Sequence, residues 1–313
     1  MIAALDRFVR SIPIMGTIAT IEVVAARDDA AQADEAINRV FNWFREVERT
    51  CNRFDSTSEL RHVGVQAGMA SPVSPLLFGA LEFALGVAAD TGGAFDPTLG
   101  ASMEARGFRT DYRTGQDASS GVANDARVSY RDVHLDAAAQ TITVDRPLVF
   151  DLGAVAKGLA IDLAARELRG FTGFAIDAGG DIYAGGRNAT QLPWSIGIRH
   201  PHRDDDLVDV IRVSNAAVCT TSGSERPAPD GVGHHVFDPR RRSPSTIAAS
   251  ASVVASTAMV ADAFATAAFV LGPVEGIAFL ERHHVDGVIF SPGMDRFATA
   301  AFGRDDAAVF PDA

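Results

Sequence analysis

Asp262 and Thr266 stand four residues apart in the otherwise apolar run MVADAFATAAFVLG, Met259 to Gly272. On a helix that spacing puts both side chains on one face, one turn apart. A carboxylate there is costly unless something pairs with it or binds it. A half-exposed helix with one solvated Asp and a Thr bonded back to a carbonyl gives the same pattern. Read as chemistry, the pair offers hard oxygens suited to Mg²⁺, an ion that takes few protein carboxylates and completes its shell with waters and substrate phosphates.

Four more stretches carry reactive types. In DLGAVAKGLAID, Asp151 to Asp162, an apolar strand runs straight into a helix bearing Lys157 and Gly158. A helix N-terminus with spare N–H groups and a nearby lysine is an anion site, although a plain strand-to-helix corner with a surface lysine reads the same, and the P-loop spacing is absent. In GGAFDPTLG, Gly92 to Gly100, paired glycines and the Asp96-Pro97 turn allow either a close ligand approach or a helix-ending loop. In DAGGDIYAGG, Asp177 to Gly186, Gly179-Gly180 suits a backbone pressed against a planar or phosphorylated ligand, with Gly180 as the contact, or a common turn. In HHVFDP, His235 precedes an Asp-Pro turn and is a natural general base, although a lone histidine is often structural. Mg²⁺, a lysine, a helix N-terminus and a histidine together point to chemistry at a phosphoanhydride.

The elements that must position these groups are legible in outline. TIATIEVVA, TITVD, FAIDA, WSIGIRH, DVIRVS, SVVAS and DGVIF read as strands. Asp28 to Thr50 and Pro75 to Thr91 read as helices, with further helices after Ala156 and Thr257. Gly107 to Asp125 reads as a long surface loop. Strands and helices do not alternate in βαβ order, so the fold class is α+β, with mixed sheets and packed helices. Residues 1–313 form a single domain or two intimately packed α+β subdomains.

Bulk properties exclude several classes. The chain has 47% hydrophobic and 22% charged residues and a net charge of −12. Clustered positive charge is confined to Arg240, Arg241 and Arg242, a solvated loop or a contact to a ligand phosphate, so nucleic acid is not a partner. Cys51 and Cys219 lie far apart and fit neither a disulfide framework nor a zinc site. Ile247 to Leu271 could pass for a membrane span, but Asp262 and recurring Ser and Thr favour a buried strand and core helix. In MIAALDRFVRSIPIMG, Asp6, Arg7 and Arg10 break any signal-peptide core, and the expected location is cytoplasmic.

The ordered set MGT (Met15 to Thr17), NRFDSTSEL (Asn52 to Leu60), GGAFDPT, DLGAVAKG, DAGGDI, PWSIGIRHP, CTTSGSERP, HHVFDP and ADAFATAAFVLG resembles the ApbE-type FAD:protein FMN transferases over nearly the whole chain, from Met15 to about Phe290. The resemblance implies an ApbE-like flavin transferase fold and Mg²⁺-dependent transfer of FMN from FAD to a Ser or Thr hydroxyl of an acceptor protein, releasing AMP. It implies that Met15, Phe54, Ala94, Phe95, Asp96, Asp151 and Lys157 hold FAD, with His235 and Val236 over its reacting end. It implies a Mg²⁺ site from the Ala154 carbonyl, Asp262, Ala265 and Thr266. His235 is the first candidate for the general base, and Asp262 the second. Family acceptors are redox proteins carrying a short Asp-Gly-…-Ser/Thr-Gly-Ala-Thr-like stretch.

The chain departs from the pattern at Phe54, often Tyr, at Gly64, where Asn is usual, at DPRRR in place of Asp-Pro-Arg-Thr-Gly, and at Asp177-Ala178 before the paired glycines. Two other readings stay open. A Mg²⁺-dependent FAD pyrophosphatase would use the same residues with water as acceptor, and a flavin-binding or storage protein would lack turnover.

Overall fold

The computed structural model describes residues 5–224, 228–229, 231, 233–303 and 308–309. At its centre is an eight-stranded sheet whose spatial order follows the chain: Leu5–Ile14, Thr17–Ala26, Gly173–Ala178, Asp181–Gly186, Ala216–Ser222, Ser250–Ala255, Asp286–Phe290 and Arg296–Ala298. Every neighbouring pair is antiparallel. The remaining structure is inserted between consecutive strands. Helices α1 (Ala30–Cys51), α2 (Pro75–Asp90), α3 (Gly100–Ala105) and α4 (Ala156–Leu168) fall between the second and third strands, and α5 (Ala258–Arg282) between the sixth and seventh. The arrangement is α+β, as the irregular order of elements predicts.

Apolar side chains alternate across the sheet and both faces are covered, which is why several strands read as continuous apolar runs. On one face Ile21, Val23, Ile176, Cys219 and Val253 pack with Phe41 and Phe44 of α1, Ile161 of α4 and Phe269 of α5. On the other, Val24, Val218, Val254 and Val288 meet Trp194, Ile198, Ile211 and Val213 of the hairpin Trp194–His200/Arg203–Ser214. Each such fully buried side chain contributes about 1.5–3 kcal/mol. Thr141–Val144 pairs with Val133–Asp136 and Ser71–Pro72 in a small separate sheet.

The helix starts follow local chemistry. Ser74 accepts a hydrogen bond from the Leu77 N–H with Pro75 in the first turn of α2, and Thr257 accepts one from Val260 at the start of α5. By length and composition α5 could cross a membrane, yet most of it is buried inside the fold between α4 and the sheet. Its helical path breaks at Gly272 (φ 81°), just before Pro273. Leu5–Ile14 was not expected as a strand, because Asp6, Arg7 and Arg10 interrupt its apolar positions. Arg7 bonds Glu22 at 2.6 and 2.7 Å, and Arg10 meets Asp34 and Asn38. Charges of this kind blunt an edge against further pairing.

Candidate active site

Helices α4 and α5 cross at very close range, and two residues of the DLGAVAKGLAID stretch make that possible. A Cβ on Gly158 would lie 2.5 Å from the Ala258 carbonyl oxygen and from Met259 Cα, so only glycine admits the crossing. One turn along the same face, Asp162 accepts hydrogen bonds from the N–H groups of Ala258 (2.6 Å) and Met259 (2.9 Å), completing the N-terminus of α5. Burial pushes the Asp162 carboxyl up to about 6 despite those two donors. The crossing brings Lys157 of α4 to Asp262 of α5, 3.7 Å from Nζ to Oδ2. Lys157 also contacts Asp181, the first residue of its strand. Asp262 is 5% exposed, and its Oδ2 has no hydrogen-bond partner. Burial raises the Asp262 carboxyl above its usual range, opposed by the Lys157 ammonium and the Gly158 N–H. One turn on, the Thr266 hydroxyl lies 3.0 Å from that of Thr221 on the adjoining strand.

This corner closes the inner end of a cavity of about 510 Å³. Loops supply much of the remaining lining, together with Val47, Glu48 and Cys51 of α1. Met15 and Gly16 form a two-residue hairpin turn with positive φ at both positions (52° and 73°), and Met15 N–H donates to Glu48 Oε1 (3.1 Å). Tyr112, from the expected 107–125 loop, donates to the same oxygen (2.5 Å), so one α1 carboxylate ties two cavity walls together. Phe54 lines the cavity, and the Arg53 guanidinium stacks over its ring at 4.0 Å. Arg53, 5% exposed, donates through Nε to Asp151 Oδ2 (2.7 Å) and through Nη2 to the Phe108 carbonyl (2.8 Å). The other Asp151 oxygen accepts from the Gly153 N–H. Asp96 uses Oδ1 for the Thr98 N–H and hydroxyl and Oδ2 for the Tyr130 N–H, and burial raises its carboxyl. Both carboxylates therefore order their own loops while facing the cavity.

The two adjacent histidines divide their roles. His234 accepts at Nδ1 from the Val236 N–H (3.2 Å) and donates at Nε2 to the Ser245 carbonyl (2.8 Å), an arrangement that requires the neutral ring. Burial lowers its pKa, in the same direction. His234 is structural and lies outside the cavity lining, whereas half-buried His235 lines the cavity with Val236, Phe237 and Pro239.

Of the residues singled out from sequence, Met15, Phe54, Ala94, Phe95, Asp96, Asp151, Ala154, Lys157, His235, Val236, Asp262 and Thr266 all border this one cavity. Gly180 and Ala265 do not. Gly180 sits on the exposed side of its turn with its N–H bonded to Asp177 Oδ1 (2.8 Å), and its neighbour Gly179 faces the cavity instead. A Cβ on Gly179 would stand 2.4 Å from Thr17 Oγ1. Ala265 is wholly buried in α5, between the two residues that reach the cavity. Arg240, Arg241 and Arg242 lie in an exposed turn outside the cavity lining. The first two face buried Asp238, and Arg242 bonds the Ala126 carbonyl. The cysteines are buried and unbridged. Sequence reasoning passed over Asp181, Arg53, Glu48, Tyr112 and Thr221. Arg53, Asp181 and Thr221 sat inside quoted motifs, NRFDSTSEL, DAGGDI and CTTSGSERP. Glu225, Arg226 and Pro227 of the latter lie outside the described residues.

The donor set suits a hard divalent cation. A buried carboxylate oxygen without a hydrogen-bond partner and a threonine hydroxyl both line the same cavity. Among the described residues no cluster of three or more His, Cys, Asp or Glu could form a protein-only cage.

Aromatic side chains, a lysine, a buried carboxylate, a threonine hydroxyl and a histidine thus share the lining of one cavity. The chain belongs to the ApbE family, whose model matches residues 15–289. A protein of Treponema pallidum named FAD:protein FMN transferase is 32% identical over 99% of this chain and 91% of the relative. One of the same name from Klebsiella pneumoniae is 30% identical over 83% and 77%. Among solved structures, the ApbE protein of Thermotoga maritima superposes with a TM-score of 0.83 at 25% identity, covering 95% of this chain and 98% of that one.

Proposed function

We propose that this protein transfers the FMN portion of FAD to a Ser or Thr hydroxyl of an acceptor protein, releasing AMP in a Mg²⁺-dependent reaction. The observation that carries the reading is the inner corner, where the unpartnered Asp262 Oδ2 lies beside Lys157 and Thr266 in a cavity that His235 also lines. The shared name of the two relatives supports it.

In this reading Phe54 and Tyr112 offer flat faces to the isoalloxazine, and Phe54 is backed by Arg53. Lys157 sets a positive point charge near the pyrophosphate. Asp262, Thr266 and the Ala154 carbonyl would hold Mg²⁺, which would supply positive charge to offset that of the phosphates. The acceptor oxygen bonds to the phosphorus on the FMN side, and the anhydride P–O bond breaks with its electron pair leaving on AMP. His235 takes the hydroxyl proton and passes it to solvent. The acceptor is a redox protein with an exposed Ser- or Thr-bearing stretch.

The test is chromatography of protein incubated with FAD and Mg²⁺, with and without a peptide carrying the Asp-Gly-…-Thr-Gly-Ala-Thr-like stretch. AMP together with flavin-labelled peptide is expected. AMP and free FMN in equal amounts, with or without peptide, would make the protein a pyrophosphatase instead.

A further inference from the structure

Lys157 stands between two buried carboxylates and treats them unequally. Asp181, 3% exposed, opens its strand just after the Gly179-Gly180 turn, and Asp262, 5% exposed, lies in the second turn of α5. The ammonium is in direct contact with Asp181 Oδ2 but 3.7 Å from Asp262 Oδ2, beyond hydrogen-bond range. Asp262 lines the cavity and Asp181 does not. Two carboxylates against one ammonium leave an excess negative charge, which is expensive to bury unless another cation meets it. The pairing places that excess on the carboxylate that faces the cavity, and leaves its Oδ2 without a hydrogen-bond partner.

Resting on the reading above, we propose that Asp181 is a positioning residue: by drawing the Lys157 ammonium to the closed side of the cluster, it keeps Asp262 open to the divalent cation. The backbone around Lys157 is fixed, because Gly158 and Asp162 lock α4 against α5. Only the lysine side chain is free to change partner. Without the Asp181 carboxylate, the ammonium closes the gap to Asp262 and competes with the cation for the same oxygen. A purely structural Asp181, holding only the turn that precedes it, would lower stability without singling out cation affinity.

The test reads FAD binding by fluorescence anisotropy across a Mg²⁺ series, in the parent, Asp181→Asn, Lys157→Met and the double variant. The parent should bind FAD more tightly as Mg²⁺ rises. Asp181→Asn should need at least tenfold more Mg²⁺ for the same enhancement, while its affinity without Mg²⁺ stays within about threefold of the parent's. The double variant should return to the Mg²⁺ requirement of Lys157→Met alone, because the competing ammonium is gone. An Asp181→Asn titration matching the parent's overturns the inference and leaves the cation site standing. So does a double variant as impaired as Asp181→Asn. Parent FAD affinity indifferent to Mg²⁺ removes the cation site and this inference together. If Asp181→Asn does not fold, Asp181→Ser replaces it under the same expectations.

Discussion

The two ends of the cavity are built differently. The inner corner is made of regular structure: Lys157 and Asp262 come from helices locked by Gly158 and Asp162, and Asp181 and Thr221 from strands of the central sheet. The outer wall is made of turns and loops around Met15, Phe54, Asp96, Tyr112 and His235, held by single side-chain ties such as Glu48. Groups that must bear charge at fixed positions sit on elements that cannot move without disturbing the core. Groups that must accept a flat ring or an incoming protein sit where the backbone can adjust.

Substitutions can test that division. The largest effect is expected at the corner. Asp262→Ala should abolish Mg²⁺-dependent AMP release while the circular dichroism spectrum and melting temperature stay near the parent's. Full turnover in that variant would show that the corner bears no metal. At the other end, His235→Ala should slow transfer by roughly 10²–10⁴-fold and flatten the acidic limb of the pH–rate profile. An undiminished rate with the parent profile would place the base elsewhere.

Gly158→Val probes the lock rather than the chemistry. Forcing the helices apart should cost about 1–3 kcal/mol, read as a lower melting temperature, with a loss of activity out of proportion to that cost. Asp162 gives the corner a pH signature. Its carboxyl rises from an ordinary 3.8 to about 6 on folding, so the folded chain keeps the proton to higher pH than the unfolded one. Its contribution to stability is therefore greatest below pH 3.8 and is lost as pH rises through about 6. Asp162→Asn should remove that slope from melting curves measured between those limits. Tyr112→Phe should be mildest. It deletes one partly exposed tie, and FAD affinity should fall by less than about tenfold. A loss as large as that of His235→Ala would mean that the loop wall is as rigidly required as the corner.

The same division explains what the sequence discloses. Asp262 and Thr266 draw notice because helical periodicity is local and an acid interrupts an otherwise apolar run, but only the buried position of Asp262 sets aside the solvated-face alternative. Lys157 is visible as a residue, but its preference for Asp181 over Asp262 is decided by a contact between helix and sheet that no spacing encodes. Which of Gly179 and Gly180 faces the cavity turns on a single residue of register within a turn. Asp96 and Asp151 read as ligand carboxylates, and both border the cavity, yet their oxygens are engaged by Thr98, Tyr130, Arg53 and Gly153. The strands themselves were legible in part: the apolar runs TIATIEVVA, FAIDA, SVVAS and DGVIF stand out, whereas Asp6, Arg7 and Arg10 interrupt the edge strand Leu5–Ile14 and mask its sheet character.

Because neighbouring strands follow chain order and the working segments are threaded between them, the cavity draws on residues from Met15 to Thr266. No short fragment of the chain contains it. Contacts of such long sequence separation form slowly, after their loop-closure entropy has been met. The cavity thus comes into being only when most of the sheet has registered, which makes nucleotide capture a report on completed folding. A bound nucleotide should in turn raise the melting temperature of the sheet as a whole, since it engages only the finished molecule.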